Sequence, residues 1–207
     1  QVTITAAAVS RSLTMTARSN AVAAAKVEAA GITAGSGNDV ISNGEDAEIR
    51  VKATASATAE GKPRPGEGAH TDVGNATAGL SWFPVSATAS GIAAGDGNNT
   101  IANLGLIHAE AKTLATAKGI ADTDNTSNEA RADANAAATA KGIASGNGTD
   151  AVLNETGASI HVKASTDVTA NADADEEAYV NNPGVFAAAA ACGIELGNGS
   201  KSIINRG

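Results

Sequence analysis

The chain has 207 residues and a formal net charge of −8, and 43% of its residues are hydrophobic. One Trp, one Tyr and two Phe cannot build a thick aromatic core, because burial energy follows apolar area. The acidic balance argues against nucleic acid as a partner, and no basic cluster and no apolar run of membrane-spanning length is present.

The chain opens on "QVTITAAA", a strand-like alternation. At Gly31 begins "GITAGSGNDVISNGEDAEIRV", the first of four related segments. Its Gly-x-Gly predicts a corner, since glycine tolerates positive φ. A short strand through Ile41 follows, then Asn43, then a long strand from Ile49. In that strand Ile49, Val51, Ala53, Ala55, Ala57 and Ala59 share one face, and Arg50, Lys52, Thr54, Ser56, Thr58 and Glu60 the other. Residues 60–75 are rich in Pro and Gly and predict an exposed tip. In "SWFPV", Pro84 predicts a bulge, and Trp82 and Phe83 are expected to staple the tip to the body.

Gly91 opens the second segment, with Ile101 and Asn103, and Gly142 opens the third, with Val152 and Asn154. Between them "NEARADANAAATAKG" has helical propensity, but the surrounding period of two favours strand. Disorder is disfavoured by low charge and ordered apolar recurrence. Lone Cys192 reads as a small buried hydrophobe. Gly193 opens the fourth segment, with Ile203, Asn205 and Gly207. The four segments recur at spacings of 60, 51 and 51 residues.

Repeats of this kind bury their faces only against neighbours. The expected fold is all-β, a parallel β-solenoid of about four long flattened coils with Gly-rich corners. One domain over 1–207 is expected, with repeats beginning near Gly31, Gly91, Gly142 and Gly193 and the last coil completed by residues 1–30 of a next unit. Joined end to start, Val2 takes the position of Ile107 and Ile4 that of Ala109. The expected junction is therefore Asn205, Gly207, Val2 and Ile4. Asn43, Asn103, Asn154 and Asn205 are expected to pass amide hydrogen bonds up the stack, and Ile41, Ile101, Val152 and Ile203 to stack beside them.

Gly35-x-Gly37-x-Asp39 and Gly146-x-Gly148-x-Asp150 resemble a unit of the calcium-binding RTX nonapeptide repeat. That resemblance implies calcium at Asp39 or Asp150. Asn99 and Lys201 occupy the same column and depart from the pattern, so the expected cofactor is none, with calcium left open at those two. The whole "GI…GxG…I.N.G.I.V.A" pattern resembles haemolysin-like and autotransporter-like repeats of giant bacterial surface proteins. This implies an extracellular or cell-surface fibre or stalk that partners itself, head to tail or as tandem repeats, and is not an enzyme. An adhesin using its tips on surface glycans is the alternative. Outward Thr and Ser, including Thr77, Ser86, Thr88, Ser90 and Thr139, raise ice binding as a third reading, although charged residues interrupt the array. His70, His108 and His161 read as exposed residues.

Overall fold

The computed structural model describes residues 2–14, 18–63, 72–121, 128–174 and 177–207. All elements among them are strands. The chain runs β1 (Val2–Thr14), β2 (Arg18–Ala23), β3 (Lys26–Thr33) and β4 (Val40–Asn43), then β5 (Glu48–Pro63), β6 (Asp72–Ala78), β7 (Val85–Ala93) and β8 (Thr100–Asn103). It continues through β9 (Leu106–Ala121), β10 (Asn128–Ser145) and β11 (Asp150–Asn154), and ends with β12 (Ser159–Ala174), β13 (Glu177–Leu196) and β14 (Lys201–Asn205).

Instead of the expected parallel β-solenoid of about four long flattened coils, the strands form three separate parallel sheets. One is ordered β1-β5-β9-β12. The second is ordered β2-β6-β10-β7-β3, with β13 also on β10. The third is ordered β14-β11-β8-β4. Two physical causes separate this from the expectation. The short strand after each glycine corner pairs only with its equivalents in the other repeats, so these strands form a sheet of their own. The alanine-rich side is also not uniform: β2 and β3, and β6 and β7, are separate strands, whereas β10 and β13 run unbroken. Even there the register shifts between Ala132 and Ala134.

The segment with helical propensity lies in β10, where tertiary pairing on three strands overrides it. Every pairing between strands is parallel, and the register joins like to like. Ile49 pairs with Ile107 and Ile107 with Ile160; Asn43 pairs with Asn103 and Asn103 with Asn154.

Two cores result. Between the first and second sheets the filling is almost all alanine, with Val27, Val51 and Val85. Small side chains let those sheets approach closely, and each contributes little burial. A second cluster of larger residues, Ile41, Ile92, Ile101, Ile107, Ile143 and Val152, lies beside the short third sheet. One inward position of the alanine core holds Thr113, fully buried, with Oγ1 lacking a partner among the described residues. Its registered neighbour Thr166 donates to the Ala188 carbonyl at 2.8 Å. A buried hydroxyl without a partner costs roughly 1–3 kcal/mol. Thr113→Val keeps the shape and removes the hydroxyl. It is expected to raise unfolding free energy by about 1 kcal/mol in urea titration.

Candidate functional site at the open sheet edges

Each short strand begins just after a glycine turn and ends on an asparagine. This places two side-chain columns along the third sheet. In the first, Asn43 Nδ2 donates to Asn103 Oδ1 at 2.7 Å, Asn103 Nδ2 to Asn154 Oδ1 at 2.7 Å, and Asn154 Nδ2 to Asn205 Oδ1 at 2.8 Å. Asn103 is completely buried, so the ladder satisfies amides that would otherwise be costly. Beside it, relative exposure along the aliphatic column is 8% at Ile41, 0% at Ile101, 2% at Val152 and 50% at Ile203. The column is covered throughout until its last member.

The second column is Asp39, Asn99, Asp150 and Lys201. The Asp39 N–H donates to Asn99 Oδ1 at 3.2 Å, and the Asn99 N–H to Asp150 Oδ1 at 3.0 Å. Asn99 Nδ2 also reaches Asp150 Oδ1 at 3.0 Å, and Ser145 Oγ donates to Asp150 Oδ2 at 2.7 Å. Lys201 closes the column with a short ion pair to Asp150 Oδ2 and a hydrogen bond to the Gly146 carbonyl at 2.9 Å. Burial pushes the Asp150 carboxyl up, but the hydrogen bonds from Lys201, Ser145 and the Asn99 backbone, with the Lys201 charge, outweigh it. The net result lowers its pKa from 3.8 to about 2.

This geometry bears on calcium. Asp150 is ringed by donors and already holds an ammonium, so it does not fit as a calcium ligand. At the other end of the column, Asp39 Oδ2 is buried with no hydrogen-bond partner among the described residues. Among the described residues no group of three or more His, Cys, Asp and Glu is arranged to hold a metal.

The other sequence candidates are dispersed. His108 and His161 sit in register, with ring centroids 6.4 Å apart, and Arg50 pairs with His108 on the far side. Lys52 reaches Glu110 at 3.3 Å on that outer face, an exposed pair worth little. Cys192 is half-buried, with Sγ 3.2 Å from the Ile194 carbonyl. Trp82 is 79% exposed and Phe83 46%, and most of the tip that they were expected to staple lies outside the described residues. Val2 and Ile4 lie on β1 at one edge of the first sheet, opposite Val51 and Ala53, and so share the columns of Ala109 and Ala111 rather than the expected ones of Ile107 and Ala109; they lie far along the stack from Asn205 and Gly207. On the second sheet Thr88 pairs with Glu28 and Thr139, while Lys26 and Lys141 adjoin Ser86 and Ser90, so charge breaks the Thr array. His70 lies outside the described residues, as do 64–71, 122–127 and 175–176 of the tips.

The most distinctive surfaces are the two ends of the stack. At one end β1, β2, β3 and β4 each pair on one side only; at the other, β12, β13 and β14 do so among the described residues. Apolar side chains are exposed at both: Ile4, Val22 and Val40 at the first, and Val185, Phe186, Ile203 and Ile204 at the second. Sequence reasoning missed the Asp150–Lys201 pair. The signal was there in the alignment of Asp150 over Lys201, opposite charges one rung apart.

Comparison with known proteins finds no matching family model, no matching curated protein and no matching solved structure. The functional reading therefore stands on the columns and the open edges.

Proposed function

We propose that the protein is a non-catalytic structural element of a bacterial extracellular fibre or stalk, lengthened by parallel strand addition at its sheet edges. One observation carries this reading: all three sheets are open at the same two ends, and each end is a cut through a column that continues inward. An unpaired strand edge is a template for another strand. Here three edges per end offer that template together, with exposed aliphatics at both ends. The two ends are unlike, so contact between them is heterologous and propagates without closing.

The surface location follows from the resemblance of the repeat pattern to bacterial surface repeats. Glycan binding through the tips concerns segments that fall in large part outside the described residues, and no observation favours it. Electron microscopy of purified protein across a concentration series tests the reading. Filaments of constant width whose length grows with concentration are expected; discrete particles of one size at every concentration would overturn it.

A further inference from the structure

The columns have direction, and their direction specifies the partner. Each amide of the asparagine ladder donates towards β14. Asn205 therefore ends the ladder with Nδ2 unspent among the described residues, and Asn43 begins it with Oδ1 unspent. The second column obeys an equally directional rule. The side-chain oxygen of one rung accepts the N–H of the rung before, from Asp39 to Asn99 and from Asn99 to Asp150. Lys201 cannot supply such an oxygen, and Asp150 N–H turns instead to the Ser200 carbonyl. The column thus ends in a cation at β14 and begins in an anion at Asp39, whose Oδ2 is buried and unpartnered among the described residues.

We propose that a second copy of this chain seats head to tail on the first, with its Asp39 carboxylate against Lys201 of the first. The inference rests on the fibre reading and names its partner, polarity and register. By the register already present, β4 of the incoming copy lies on β14, Asn43 meets Asn205, and Ile41 covers the exposed Ile203. Lys201 then lies between two carboxylates, Asp150 of its own chain and Asp39 of the next. Joining like ends would bring Lys201 to Lys201 or Asp39 to Asp39, and like charges brought together at an interface suppress that pairing. The same pair therefore selects one orientation and rejects the other.

Asp39 offers a clean handle, because among the described residues only its backbone is bonded within the chain, the N–H to Asn99 and the carbonyl to the Thr100 N–H. Sedimentation velocity and electron microscopy would compare wild type, Asp39→Lys and Asp39→Asn at low and high salt. Asp39→Lys is expected to weaken association by about tenfold or more at unchanged melting temperature. Added in small proportion to wild type, it should also shorten filaments, since its Lys201 end still adds while its own altered end accepts nothing. Asp39→Asn retains an acceptor oxygen and is expected to assemble with a flatter salt dependence. Wild type remaining single at every concentration would remove the fibre reading and this inference together. Wild-type filaments matched by Asp39→Lys filaments would remove this inference alone. Should Asp39→Lys fail to fold, Asp39→Asn filaments with the wild-type salt dependence would do the same.

Discussion

Lys201→Met is expected to lower unfolding free energy by about 3 kcal/mol at neutral pH, read by urea or guanidinium titration. Lys201 itself is an edge residue and retains 15% side-chain exposure, but the Asp150 side chain is at 0%. Removing the ammonium leaves a buried carboxylate with only neutral donors, and such orphaning typically costs several kcal/mol. The figure is set at the low end because the edge position admits some water. Asp150→Asn combined with Lys201→Met should recover most of the loss. Asparagine at 150 would repeat the chemistry of Asn99 one rung earlier, where a neutral amide is accommodated. The pH dependence has a defined sign. With a folded pKa of about 2 against 3.8, the wild-type carboxylate contributes stability above pH 4 and loses it as pH falls towards 2. Without Lys201, burial dominates and protonation relieves it. The gap between wild type and Lys201→Met should therefore narrow on acidification, and a gap that widens would be incompatible with this role for Lys201.

The stacking partners were legible in the sequence, whereas the sheet architecture was not. Period-two alternation assigned faces correctly because the inward residues from Ile49 to Ala59 form an unbroken series. The recurring Asn fixed which residues share a column, since parallel in-register strands stack equivalent positions. A run such as Val40–Asn43 reads as a short strand, but it is too short to show which sheet it joins, so the third sheet was not legible. The break between β2 and β3 falls within "VAAAK", where successive alanines leave no contrast between faces. Lys201 was misread for a different reason. Against a cation-binding pattern a lysine looks like a defect, whereas above Asp150 it is the counter-ion. Sequence shows which residues stack; the direction in which a side chain reaches decides whether it disrupts or completes the column.

Gly97→Ala is expected to destabilise the fold by about 3 kcal/mol or more, while Gly37→Ala costs roughly 1–2 kcal/mol. Both glycines have positive φ, +131° and +141°, so the backbone strain of an alanine is common to them. They differ in what lies beneath. A Cβ on Gly97 would run into the Gly37 backbone, and one on Gly148 into that of Gly97, whereas one on Gly37 meets nothing. The difference between the two variants therefore isolates the cost of crowding one rung against the next. It also separates folding from assembly. Gly199 is the last member of this column and is likewise at positive φ, +116°. In a head-to-tail stack it would lie under Gly37 as Gly37 lies under Gly97. Gly37→Ala should then fold with only that modest loss of stability yet fail to form filaments, because the added methyl points into the Gly199 backbone of the neighbouring copy. Gly37→Ala filaments of wild-type length would mean that the two ends do not meet in this register. A monomeric but folded Gly37→Ala protein would place the contact at a single carbon atom.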